Sequence, residues 1–163
     1  MKLFNIIKTE QKDWKILGGK IVTRIVLDTD NGISQDGKGI SPDFKSYSSN
    51  YASAKKTGNV SLPKELKSVS TDRQVSPPNI RLTGKMLDSI KSQNATKTSV
   101  DILYADGLKV EGHSKKRGNR PKRNIIGLND RNNQFVVNYF TKKIDNNILK
   151  FIAKDIKIDL DIL

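Results

Sequence analysis

A chain of 163 residues, 35% hydrophobic and 29% charged, is long enough for one domain around one core and leaves little for a second. Thirty Lys and Arg against 17 acids give a net charge of +13, which calls for an anionic partner such as nucleic acid, acidic lipid or an acidic protein surface. The lack of cysteine excludes disulfides, thiol chemistry and Cys-built zinc sites, and the absence of any long apolar run excludes a spanning helix. Leu3, Phe4, Ile6 and Ile7 are too few, and too broken by Lys2, Asn5 and Lys8, for a signal peptide, so a soluble protein made in a cytoplasm, with no membrane partner, is expected.

Between Glu10 and about Thr29, Trp14, Leu17, Ile21 and Ile25 recur at three- and four-residue spacing, which puts one apolar stripe on a helix. Gly18-Gly19 and the β-branched run from Ile21 to Val26 make a strand from Lys20 to Asp28 the rival, but helix is the reading taken. Asp30-Asn31-Gly32 to Gly39, extended by Ser41-Pro42, is dense in turn formers and predicts a loop. Tyr47 and Tyr51, four apart and followed by Ala52, Ala54 and Lys55, predict a short helix with both rings on one surface.

Residues 57–79 carry Gly58, Pro63, Pro77 and Pro78 and read as a long irregular connection, with at most a turn of helix near Lys64 to Lys67. Leu82, Met86, Leu87 and Ile90 predict a helix from about Thr83 to Lys91 capped by Thr83. Val100, Ile102 and Tyr104 alternate with polar neighbours, and Asp106-Gly107 then suits a tight hairpin turn before Leu108 and Val110. Val136, Phe140, Ile144, Ile148 and Ile152, widened by Val137, Leu149 and Phe151, predict a helix from about Asp130 to Lys154. Ile156, Ile158, Leu160 and Ile162 alternate with Lys157, Asp159 and Asp161, the period of a half-buried terminal strand that could be lent to a neighbouring subunit. The expected class is α+β: a small mixed β-sheet with a hairpin near 98–111, packed against an N-terminal and a C-terminal helix. Residues 1–163 form a single domain, with long exposed loops at about 30–46, 57–79 and 112–125 and a strand at 156–162.

Lys115, Lys116, Arg117, Arg120, Lys122 and Arg123 crowd into one stretch with Gly118, Asn119 and Pro121, and no acid interrupts them. Like charges at this density repel, so an exposed loop that contacts a connector protein or nucleic acid, or only water, is expected. If all six met phosphates, log affinity would fall against log salt with a slope of about −5.

The order of three short motifs is more specific than the charge. Tyr47-Ser48, Tyr51-Ala52 and Lys55 form the first; Leu82-Thr83-Gly84-Lys85-Met86-Leu87-Asp88-Ser89-Ile90 the second; Pro121, Arg123, Gly127 and Leu128 the third. In this order the chain resembles the virion-morphogenesis or tail-completion proteins of tailed bacteriophages, over roughly residues 40 to 153. It departs from them where Tyr104-Ala105 is separated from Glu111-Gly112-His113, and in its unusually basic loop. The resemblance implies a non-enzymatic virion protein of the neck or tail top, assembled in the host cytoplasm as a ring. Its implied partners are further copies of itself, portal or adaptor proteins, and tail tube or tail terminator proteins, with loose contact to packaged DNA.

Signals for chemistry are weak beside this. His113 is the only histidine and has no identifiable acid partner, so it reads as a polar or packing residue, and no catalytic residue is expected. Asp28-Thr29-Asp30-Asn31-Gly32 resembles a calcium loop, but its glycine is one position early and Gly39 stands where the closing acid belongs, so it reads as a turn. Gly37-Lys38-Gly39 and Gly84-Lys85-Met86 lack the spacing of a phosphate loop. No metal or cofactor is expected. A nucleic-acid-binding module acting as a monomer on DNA or RNA is the alternative to the phage reading, and a nuclease using His113 is a remote third.

Overall fold

Four-residue spacing of Leu17, Ile21 and Ile25 produces the helix it predicts, α1 (Gln11–Asp30), with all three side chains buried. The structure is a computed structural model that describes residues 9–62, 64, 71–81, 83–114 and 121–155, and side chains as far as Lys150. The helix begins where the Glu10 N–H donates to the Asp13 carboxylate at 2.8 Å, closing its first turn. The glycines that argued for a strand have a packing role instead. A Cβ on Gly18 would stand 2.7 Å from Val100 Cγ2 and 2.8 Å from Ser92 Cβ, so the bare backbone lets a strand lie against the helix. At Gly19 nothing lies within 4 Å of the same position. Adjacent glycines therefore have opposite expected substitution effects. Gly19→Ala raises stability by about 1 kcal/mol through helix propensity, whereas Gly18→Ala lowers it by about 1–3 kcal/mol through overpacking. Urea unfolding of the two variants checks this pair.

Helix α2 (Ser49–Thr57) follows and ends at Gly58, whose φ of +79° suits a left-handed C-cap. The next elements correct two expectations. The helix predicted from Thr83 to Lys91 is the single turn α3 (Lys85–Asp88); Gly84, not Thr83, is its N-cap, and no side chain caps it. Strand β1 (Ile90–Gln93) then begins, because Ile90 is buried on the sheet while Leu87 is buried from the turn before it. β1 pairs antiparallel with β2 (Asp101–Tyr104) in the register Ile90↔Tyr104 to Gln93↔Asp101. The hairpin thus exists, and its second strand is the alternating segment read from sequence, but its partner lies upstream. Asp106-Gly107 is no hairpin turn: the Asp106 carbonyl accepts from the N–H groups of Lys109 and Val110 and opens helix α4 (Gly107–Ser114). Helical winding buries Val110 and leaves Leu108 in solvent, a split that a strand would not make, since both residues would share one face. The described sheet has two antiparallel strands and is not mixed.

The last helix, α5 (Asp130–Asp155), matches its prediction and runs antiparallel to α1. Its pairs with that helix descend in order: Asn132 Oδ1 accepts from Arg24 at 2.7 Å, Lys20 lies over the Tyr139 ring, Phe140 packs on Trp14 at 4.8 Å, and Lys143 pairs with Asp13. Of the predicted stripe, Val136 and Phe140 pack on the core, joined by Phe135 and Tyr139, whereas Ile148, Val137 and Leu149 are exposed.

The core is one cluster, Leu17, Ile21, Ile25, Phe44, Leu87, Ile90, Val110 and Ile125. Phe44 shows that the 30–46 segment is not simply an exposed loop. Ile33, Ser34 and Gln35 are buried with it, because the loop fills the space between the end of α1 and the start of α5. The expected terminal strand 156–162 lies outside the described residues, as do most of the anticipated helical turn near 64–67 and Leu82 of the second motif. Among the described residues no helix is long and apolar enough to cross a membrane.

Candidate functional site

The three motifs, far apart in sequence, line one groove. The first contributes Tyr47, Ser48 and Tyr51, the second Thr83, Gly84 and Leu87, the third Pro121 and Arg123; Leu62, Ile80 and Met86 add apolar wall. The groove encloses about 790 Å³. It sits beside the C-terminal end of α1, where Arg81 pairs with Asp30 at 2.9 Å and the Phe44 N–H donates to the Gly32 carbonyl.

Beneath the groove lies a buried polar cluster. Lys55, on the inner face of α2, is 0% exposed, and its ammonium donates to Asn79 Oδ1 at 2.6 Å and to the Tyr47 hydroxyl at 3.3 Å. It also pairs with Asp72 at 3.0 Å. Burial pulls the Lys55 pKa below its ordinary value, against the opposing pull of Asp72. Burial pushes the Asp72 carboxyl up, but hydrogen bonds from Lys55 and Asn79 outweigh it and hold the group below the usual carboxylate range. Tyr47 and Tyr51 meet edge to face at 5.0 Å, so both rings do share a surface, although Tyr47 precedes the helix.

Arg123 closes the cluster and departs furthest from expectation. Taken from sequence as part of an exposed contact loop, it is 7% exposed: its guanidinium lies 4.8 Å from the Tyr47 ring and donates to the Lys45 carbonyl at 2.8 Å. Its N–H is anchored on the His113 carbonyl at 2.9 Å, and the neighbouring Ile125 is fully buried, so this part of the loop is drawn into the core by its apolar end. Lys122 is half-exposed and pairs with Asp36. Lys115, Lys116, Arg117 and Arg120 lie outside the described residues.

The remaining motif residues are structural. Gly84 and Gly127 hold φ of +79° and +98°, which side-chain-bearing residues rarely adopt. Leu87 is in the core, Leu128 packs on it, and the Ser89 hydroxyl donates to the Met86 carbonyl at 2.6 Å. His113, at the end of α4, lines the groove. Among the described residues no three His, Cys, Asp or Glu are placed to hold a metal.

Sequence reasoning overlooked a second cluster, centred on Asp28. This carboxylate sits in the last turns of α1 rather than in a turn, and accepts from Gln35, Asn129, Asn132 and Arg131. The clue was an acid at a helix position that continues the buried stripe of Leu17, Ile21 and Ile25.

The buried phenols give a pH test. Burial pushes the pKa of Tyr47 and of Tyr104, whose hydroxyl donates to the Ile125 carbonyl at 2.9 Å, up to about 12. Both stay neutral in the folded chain while an unfolded chain would ionise them near 10. Their contribution to stability is complete below pH 10 and is lost as pH rises towards 12. Phenolate absorbance during alkaline titration checks this: Tyr47 and Tyr104 titrate late, beside an upward shift that burial also gives Tyr51, and Tyr47→Phe removes one late step.

No known family matches the chain, and neither a curated protein nor a solved structure is similar to it.

Proposed function

We propose that this chain is a non-enzymatic structural protein of a tailed-phage virion. It acts at the neck or tail top as a ring that joins the head connector to the tail around the DNA path. The observation that supports this reading is the convergence of its three motifs on one groove. Residues more than 70 positions apart, Tyr47 and Pro121 among them, build a single surface with the dimensions of a binding site. A groove of this kind, on a chain with exposed apolar positions elsewhere, suits assembly by surface complementarity. Portal or adaptor proteins on one side and tail tube or terminator proteins on the other are the partners this reading assigns, with the virion as its location.

The alternative, a basic module that binds DNA or RNA as a monomer, draws on the net charge of +13. Its strength is reduced by the burial of Arg123 and the pairing of Lys122 with Asp36, which occupy two of the six bases assigned to phosphate contact. Negative-stain imaging of the purified protein, alone and with a connector, together with a salt-titrated DNA shift, separates the two. Rings or connector-bound particles with weak DNA affinity are expected. Monomers with tight, steeply salt-dependent DNA binding and no affinity for connector or tail would overturn the phage reading.

A further inference from the structure

The groove is cationic in a way its own fold leaves unanswered. Lys85, Lys109 and Arg123 line it, and no Asp or Glu does so among the described residues. Lys109 pairs outside it with Asp106 at 2.6 Å. Arg123 has no such partner: among the described residues its charge meets no carboxylate, and its buried Nε has no hydrogen-bond acceptor. A guanidinium removed from water without a counter-ion is costly, and an arriving carboxylate would offset that cost.

A segment with matching chemistry is present in the chain itself. Residues 156–163 alternate Ile156, Ile158, Leu160 and Ile162 with Lys157, Asp159 and Asp161, so an extended backbone sets both carboxylates on one side and the apolar residues on the other. The groove offers Arg123 and Lys85 beside the apolar Leu62, Ile80 and Met86.

Geometry decides whose segment can dock. The groove lies at the C-terminal end of α1, about 30 Å from its start at the rise of a helix of this length. α5 runs the other way, meets α1's first turn at Lys143–Asp13, and continues to Asp155, about 18 Å further from the groove. The eight residues that follow span at most about 27 Å, against roughly 44 Å from the level of Asp30, past Asp13, to Asp155, so a chain cannot fill its own groove.

We propose that the groove receives residues 156–163 of a neighbouring copy, with Asp159 or Asp161 set against Arg123 and the alternate apolar residues on the Leu62, Ile80 and Met86 wall. Such a contact is head-to-tail: one surface of each copy meets a different surface of the next, the kind of interface that closes into rings. It deepens the ring reading above and supplies its interface.

The absence of cysteine makes the test direct. Full-length Met86→Cys and Ile162→Cys proteins are mixed and oxidised, with Ile40→Cys, exposed and outside the groove lining, replacing Met86→Cys as the collision control. Cross-linking of the first pair well above the control is expected. Asp159→Lys with Asp161→Lys should reduce it about tenfold, and adding Lys85→Glu and Lys109→Glu to the partner should restore much of it. Lys85 and Lys109 are exposed, and circular dichroism of every variant verifies that folding is intact.

Rings in negative stain without the cross-link, or with a cross-link indifferent to the charge reversals, would overturn the docking and leave the ring reading standing. A cross-link within single chains of a protein carrying both Met86→Cys and Ile162→Cys, undiminished on dilution, would overturn docking in trans. A specific cross-link in particles that never close would uphold the docking and remove the ring. Monomers at every concentration, with neither cross-link nor connector binding, would overturn both.

Discussion

Replacing Asp28 with alanine lowers the unfolding free energy by about 3–5 kcal/mol, the cost of breaking a buried ionic cluster from one side. Asp28 is 1% exposed and accepts from the side-chain amides of Gln35 at 3.1 Å, Asn129 at 2.8 Å and Asn132 at 2.8 Å, while Arg131 supplies the opposite charge. Alanine would leave three amide groups turned towards a void, each losing an acceptor that water cannot replace. These amides also connect to one another, since Gln35 Oε1 accepts from Asn132 Nδ2 at 3.0 Å and Asn129 Oδ1 accepts from the Asn132 N–H at 2.9 Å. The cluster therefore fastens three segments: the end of α1, the buried residues 33–35 and the first turn of α5. Asp28→Asn keeps the shape but turns a donor towards donors, so it also destabilises, by a smaller amount. Urea unfolding measures both, and an alanine variant within about 0.5 kcal/mol of the parent would show that the cluster does not hold these segments together.

Lys55→Met is the second large effect, a loss of about 2–4 kcal/mol. Methionine fits the volume of the lysine stem, so packing survives and the change isolates the ammonium. What is lost is the donor to Asn79 and Tyr47 and the partner of Asp72. Asp72 retains some access to water, which limits the cost compared with Asp28. In a double-mutant cycle with Asp72→Asn the two changes should be less than additive by about 1–3 kcal/mol, because they remove one shared interaction. A separate reading comes from titration. Asp72 is held below the usual carboxylate range, with burial opposing and the Lys55 and Asn79 hydrogen bonds prevailing, so its pKa should move up in Lys55→Met. That carboxylate contributes stability which is present above the ordinary Asp pKa of 3.8 and is lost as pH falls through its lowered folded value. The variant should therefore lose this acid-sensitive component, which carboxyl NMR and acid unfolding together would register.

These two clusters explain why the motif residues reached from sequence were the right ones for partly different reasons. Tyr47, Lys55 and Arg123 were singled out as recurring positions, and a charged residue in a polar stretch reads as solvent-facing. All three instead meet, because the Lys55 ammonium and the Arg123 guanidinium both lie against the Tyr47 ring. A lysine four residues after a tyrosine carries no mark of burial in the sequence itself. Its ion partner, Asp72, lies 17 positions away across an irregular segment that periodicity cannot place. Asp28 was passed over for a related reason: motif reading placed it in a turn, while its helical phase, in step with Leu17, Ile21 and Ile25, placed it on the buried face.

Local physics was sufficient where one element satisfies its own pattern. The long helices at the two ends of the described chain and the alternation of β2 follow from spacing and side-chain branching, and each was legible from the residues alone. The tertiary structure decided what depends on a distant partner. Ile90 becomes a strand residue because β2 is there to pair with it, and Asp106-Gly107 opens a helix because Val110 finds the core in that winding. Arg123 is buried because Ile125 pulls its loop inward and Tyr47 offers a ring to cover it. Sequence alone determined the α+β class and the positive charge; only contacts across the chain determined which of those charges face solvent and that Asp28 and Asp72 stand at the centre of buried clusters, since burial is a property of neighbours brought together by folding.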